Sequence, residues 1–236
     1  MKLNGATIPD DVVRRVTERR GTAHCYAELD PAKTALVVID LQYAFMDPAV
    51  GHAVCPAALD IVPAVNRLAA AVRQGGGVFW VRMTHDRHCA VDWSVNELIV
   101  TPAARDKRIA ALTAGSKGHS LWAGLDVKPE DEIVDKYRFS GFMPGTSDLP
   151  GRLRARGFDT VLITGTVTNV CCESSARDAM MLNFKTIMVS DGNAARTDEE
   201  HNATLSTFLA IFGDVMDTDY LIERLETNAA LRVAAE

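Results

Sequence analysis

Short, unbroken apolar runs alternate along this chain with stretches whose apolar residues recur every three to four positions. Ala35-Leu-Val-Val-Ile39 is the first run, and it ends at Asp40. An apolar run bounded by polar residues is the mark of a parallel strand buried on both faces. From Pro56 to Gln74 the pattern turns helical, with Val62, Val65, Leu68, Ala69 and Val72 on one stripe and Gly75-Gly-Gly77 closing it. Val78–Val81 reads as a second strand, Glu132–Asp135 as a third running into Lys136, and Thr160–Thr164 as a fourth that breaks at Gly165. Lys185–Val189 gives a fifth and Val215–Met216 a last short one. Helices are predicted at Leu149–Arg156, Cys171–Leu182 and Glu199–Phe212, and from after Met216 to about Leu225.

Strands alternating with helices over short connections predict an α/β fold, a parallel sheet covered by helices on both faces. No composition break divides the chain, so residues 1–236 read as one domain, with 1–30 as an N-terminal arm carrying a polar amphipathic helix from Ile8 to Arg20. Residues Thr84–Gly124 read as an irregular insertion, of the length that often forms a binding loop or lid.

Composition narrows the partners. The 236 residues are 47% hydrophobic and 24% charged, ordinary for a globular protein. A net charge of −6 with no basic run argues against nucleic acid or an anionic membrane surface. No apolar stretch is long enough to span a bilayer and the N-terminus lacks a signal-peptide core, so the expected location is the cytoplasm. Five cysteines (25, 55, 89, 171, 172), odd in number and without zinc-ribbon spacing, fit reduced thiols rather than a disulfide framework.

Chemistry gathers where the sheet geometry would gather it. In open parallel sheets ligands sit beyond the carboxyl ends of the strands. Asp40 follows the first strand, Lys136 ends the third, and Cys171 follows the fourth. A cysteine in the first turn of a helix meets partly positive N–H groups, which favour a thiolate and can bind an oxyanion. Asp40 and Lys136 add a base and a cation, and no histidine stands at these ends to form a Cys–His pair. Each residue also has a plain reading: Asp40 as a turn cap, Lys136 as a solvated charge, Cys171 as a small buried apolar residue. Adjacent Cys171 and Cys172 lie about 100° apart on a helix, so one of them at most faces a given cleft. A G-x-G-x-x-G dinucleotide fingerprint is missing after the first strand, where Asp40-Leu-Gln-Tyr-Ala-Phe45 stands instead.

Three segments, Ala35-Leu-Val-Val-Ile-Asp-Leu-Gln42, Lys136-Tyr-Arg-Phe-Ser-Gly-Phe142 and Thr164-Gly-Thr-Val-Thr-Asn-Val-Cys171, resemble those of the isochorismatase-like cysteine hydrolases. The Arg138–Phe142 and Thr168–Asp178 stretches look most like the ureidoacrylate and N-carbamoyl amidohydrolase branch. The resemblance implies a six-stranded parallel sheet of Rossmann-like order, with Cys171 as nucleophile, Asp40 as general base and Lys136 between them. It also implies a cis peptide bond at Thr166–Val167 that shapes the oxyanion hole, and assembly as a homodimer or homotetramer. The activity implied is hydrolysis of a small amide or ureide through a thioester, with release of ammonia and no cofactor.

Gln42, Phe45, Phe142 and Asn169 are candidate substrate contacts, and Phe139, Trp93 and Trp122 are further candidates for the walls. Glu173 and Arg177 are expected to form a helix pair. No metal is expected: the ligand pattern of nicotinamidases is absent, and His85 and His88 read as surface loop residues. The alternatives are another hydrolase of the family, of isochorismatase or nicotinamidase type, or a catalytically inactive binding protein on the same fold. True isochorismatases carry a non-nucleophilic residue in place of the cysteine, so Cys171 weighs against the isochorismatase type and its vinyl-ether hydrolysis.

Overall fold

The computed structural model describes residues 2–3 and 6–235, with side chains described for 7–89 and 91–230. Positions 1, 4 and 5 of the expected arm lie outside the described residues. The main sheet consists of β1 (Thr34–Ile39), β2 (Gly77–Met83), β3 (Glu132–Lys136), β4 (Thr160–Thr166), β5 (Lys185–Ala194) and β6 (Asp214–Met216). Its spatial order is β3-β2-β1-β4-β5-β6, every neighbouring pair parallel. The order reverses between β1 and β4, and it is at such a switch point that a doubly wound sheet opens a crevice.

Helices α1 (Asp10–Arg20), α2 (Val62–Val72), α3 (Pro102–Leu112), α4 (Leu149–Ala155), α5 (Glu173–Met181), α6 (Asp198–Ile211) and α7 (Thr218–Ala235) accompany the strands. The two-residue period of β1 divides the core. Leu36 and Val38 meet Val65, Leu68 and Val72 of α2 and Leu221 of α7 on one face. Ala35, Val37 and Ile39 meet Leu153 of α4, Ala176 of α5 and Phe208 of α6 on the other. Each fully buried Leu or Val in these layers contributes roughly 1.5–3 kcal/mol.

The arm is docked, not free. Ile8 and Val16 are buried in the second layer, and Arg20 donates to the carbonyls of Leu209 (2.7 Å) and Gly213 (2.9 Å).

Several element boundaries depart from the sequence reading. The stretch 56–74 is a 3₁₀ turn (Pro56–Leu59) followed by α2, which starts at Val62, the first residue of the apolar stripe, with Pro63 in its first turn. β4 does not break at Gly165 but runs to Thr166, and β5 extends to Ala194 through a register shift against it. α7 continues past Leu225 to Ala235. About half of the insertion is helical: it holds Cys89–Asp92, Ser94–Leu98 and α3, whose N-terminus is capped by the Thr101 hydroxyl with proline next in line.

Candidate active site

Asp40 follows the last residue of β1 and turns the chain with φ of 57°, a conformation that Asp tolerates better than most residues. Its N–H donates to Val81 O of β2 (2.9 Å), which ties the turn to the sheet. Lys136 ends β3, two strands away, and its Nζ donates to Asp40 Oδ2 at 2.8 Å. The same ammonium reaches Arg138 O (3.2 Å) and Met83 Sδ (3.4 Å). Both side chains are fully buried.

Cys171 comes from the other side of the switch point. β4 approaches β1 so closely at Gly165 that a Cβ there would lie 2.0 Å from Ile39 O, and only glycine fits, at φ of 123°. The Thr166–Val167 peptide bond is cis, and the chain then winds through a π turn, Thr168–Cys172, before α5 begins. Cys171 therefore sits in a widened turn rather than in the first turn of a regular α-helix. Thr168 Oγ1 and His201 Nδ1 of α6 hydrogen-bond at 2.9 Å and pin this turn from below.

The two cysteines diverge. Cys171 opens on a cavity of about 210 Å³, whereas Cys172 is wholly buried with its thiol directed at Thr164 O (3.9 Å). Asp40 and Cys171 lie near enough to perturb each other's ionisation, while Asp40 Oδ1 has no partner within hydrogen-bond distance.

Burial dominates the electrostatics. It lifts the Asp40 carboxyl above its ordinary range, against the opposing pull of the Lys136 charge, so the expected lowering by lysine is outweighed. Burial also acts to lower Lys136, but the Asp40 charge overrides it and leaves the ammonium more proton-retentive than usual. The Cys171 thiol is pushed up strongly by burial and then by the Asp40 charge, with Lys136 opposing. Both effects favour the protonated thiol, the reverse of what an exposed helix end does.

Phe45 and Asn169 line the cavity, together with Phe139. Gln42 and Phe142 do not. The Gln42 amide spends all its bonds on the frame: Nε2 donates to Met83 O (3.1 Å) and His119 O (2.9 Å), and Oε1 accepts from Met83 N (2.8 Å). Phe142 is buried in the second core layer beside Phe184. Trp93 stacks edge-on against Phe139 behind the wall, and Trp122 packs on Tyr43. Arg177 Nε donates to Glu173 Oε1 (3.0 Å), whose other oxygen accepts from Thr204 Oγ1 (2.9 Å).

His85 is a correction to the surface reading: it is buried, with Nε2 bonded to Glu97 Oε1 (3.1 Å), while His88 is exposed. Among the described residues no three His, Cys, Asp or Glu side chains converge on a metal-sized site.

The insertion supplies cavity walls that the sequence reading missed: Asn96 from Ser94–Leu98, and Arg108 and Leu112 from α3. Their signal was present. Arg108, Ala111 and Leu112 stand at helical spacing and are the buried face of α3. His52, Arg196 and Glu200 complete the mouth.

A doubly wound parallel sheet with a buried carboxylate, an ammonium and a cavity-facing thiol at its switch point defines an α/β enzyme architecture. Residues 34–220 match the Isochorismatase domain family model, and the chain belongs to the isochorismatase family of hydrolases. It is similar to the ureidoacrylate amidohydrolase RutB of Methylobacterium radiotolerans, 32% identical over 205 residues, which cover 80% of this chain and 78% of that protein. Among solved structures it resembles a cysteine hydrolase from Pseudomonas syringae pv. phaseolicola (30% identity, TM-score 0.76, covering 85% of this chain and 96% of that one). It also resembles N-carbamoylsarcosine amidase from Thermoplasma acidophilum (26% identity, TM-score 0.64, covering 79% and 97%). None of the helices among the described residues is long and apolar enough to cross a membrane.

Proposed function

We propose that this protein is a cysteine-dependent amidohydrolase that cleaves the C–N bond of a small ureide, carbamoyl or carboxamide substrate through a thioester. One observation carries the reading: of two adjacent cysteines, the one facing the cavity is backed by a buried, ion-paired carboxylate. The kinship with proteins named for ureidoacrylate and N-carbamoylsarcosine supports the choice of bond.

In this mechanism Asp40 takes the Cys171 proton as sulfur attacks the carbonyl carbon. A carboxylate whose pKa is raised is a stronger base, and a reluctant thiol gives up its proton only as the S–C bond forms. The backbone N–H groups of Val167 and Cys171 receive the oxyanion, each donor worth about 3 kcal/mol of barrier. Asp40 then returns the proton to the departing nitrogen and the C–N bond breaks. Water, deprotonated by the same carboxylate, hydrolyses the acyl-sulfur bond and frees the thiol. A carboxamide releases its nitrogen as ammonia, while a carbamoyl group leaves as carbamate, which decomposes to ammonia and carbon dioxide. Lys136 holds Asp40 in place and balances its charge throughout.

Ammonia release measured over a panel of ureides and amides tests this. Cys171→Ser lowers the rate by at least about a thousandfold with the fold retained, whereas Cys172→Ser keeps most of it. Comparable losses in the two variants would assign the chemistry to neither sulfur.

A further inference from the structure

The largely apolar cavity has two buried polar lining residues, from the 84–124 insertion, that the proposed chemistry does not use. Arg108 is 8% exposed and Asn96 is 4% exposed, and both belong to the wall. Arg108 Nη2 donates to Glu97 Oε1 at 2.6 Å, and His85 Nε2 meets the same oxygen at 3.1 Å. Arg108 Nε and Asn96 Nδ2 have no partner at all. Leaving a buried donor unpaired costs about 1–3 kcal/mol, more for a charged group. Glu97 Oε2 and His85 Nδ1 behind them are unpartnered as well, and two unpaired donors in the lining of one cavity are unusual unless a ligand completes them.

The sign of that ligand follows from the charges around it. Glu97 holds Arg108 from behind and is not part of the cavity wall. Arg196 and Glu200, both exposed, line the cavity with opposite signs, which leaves Arg108, paired on one side with Glu97, as the cation of the buried wall. His52, also in the wall, is pushed down to about 4 by burial and by the positive charges of Arg108, His85, Lys107 and Arg196. At the other end, beside Cys171, Asn169 presents an unpartnered acceptor, Oδ1, suited to the N–H of a carbamoyl group.

We propose that Arg108, with Asn96 of the same lining, holds the anionic end of the substrate, a carboxylate, while the carbamoyl end reaches Cys171, so that the enzyme selects ureido or carbamoyl acids over neutral ureas and amides. This assignment rests on the amidohydrolase reading and adds to it the residues that choose the substrate. Guanidinium and carboxylate match in planarity and charge, and a charge-assisted bond of this kind is the strongest that the wall can offer.

The test compares 3-ureidopropionate with 3-hydroxypropylurea, which differ only in carboxylate against hydroxymethyl. The wild-type protein favours the acid. Arg108→Gln lowers kcat/KM on the acid about 10- to 100-fold, mostly through KM, and on the alcohol by at most about threefold. Asn96→Leu, which leaves the Arg108–Glu97 pair intact, gives the same selective loss at about 3- to 10-fold. A wild type indifferent to the carboxylate, or equal losses on both compounds, overturns the proposal. The same pair serves as protectants of Cys171 against iodoacetamide, a readout free of turnover. Protection by the acid in wild type but not in Arg108→Gln, without ammonia release, upholds the anion site and removes the hydrolase reading. Protection by neither compound, with neither hydrolysed, removes the anion site.

Discussion

Asp40 meets two neighbours with opposite demands, an ammonium that wants its charge and a low-polarity interior that resists it. Burial prevails, so the carboxyl titrates above the usual range. In the proposed mechanism Asp40 is the base and must be unprotonated to act, so its raised pKa moves the acid limb of activity to higher pH than a solvated aspartate would give. Lys136→Met removes the largest of the interactions that oppose this shift, the ion pair at 2.8 Å. A pH profile of kcat/KM for that variant therefore shows the acid limb displaced upward from wild type, with a lower plateau. A limb that stayed put would mean that another group governs it. Asp40, Lys136 and Cys171 were legible in the sequence because each stands at or just beyond the carboxyl end of a strand, and a parallel sheet brings such ends together. Gln42 and Phe142 were misread as substrate contacts for the complementary reason. The partners that claim them, Met83, His119 and Phe184, lie far along the chain, and no local pattern reveals a contact of that range.

Among the elements, the β1–β4 crossing is the least forgiving. At Gly165 an added methyl would meet the Ile39 carbonyl oxygen at 2.0 Å, and backbone cannot swing aside as a side chain can. Gly165→Ala costs more than about 3 kcal/mol by urea denaturation and loses activity with it, since Asp40 follows Ile39 directly. A stability within about 1 kcal/mol of wild type would show that the strands can part there. The alternation of strands and helices was readable because an apolar run of five residues has few other uses. Helix α3 was not read, although Thr101-Pro102 starts it with the right chemistry. Its face carries Arg108 where an apolar residue would have completed the stripe, and a charged residue on a buried face disguises the period.

For the molecule as a whole, the buried histidines set its tolerance of acid. Burial lowers His52, His85, His119 and His201, and His52 falls from 6.5 to about 4. The unfolded chain therefore binds more protons between those values, and stability, complete above about pH 6.5, drains away as the pH falls toward 4. His52 alone accounts for up to about 3 kcal/mol of that loss. Asp40, whose shift is upward, works in the opposite sense and recovers part of it. Thermal midpoints measured from pH 7 to 4.5 fall in wild type and fall less steeply in His52→Gln; parallel curves would refute the role given to His52.

The inserted helices between β2 and β3 furnish Asn96, Arg108 and Leu112 to a cavity that Cys171 enters from the turn after β4. Two jobs are thereby placed on separate stretches of polypeptide. A chimaera carrying a relative's 84–124 segment therefore changes three of the cavity's walls and leaves Asp40, Lys136 and Cys171 in place.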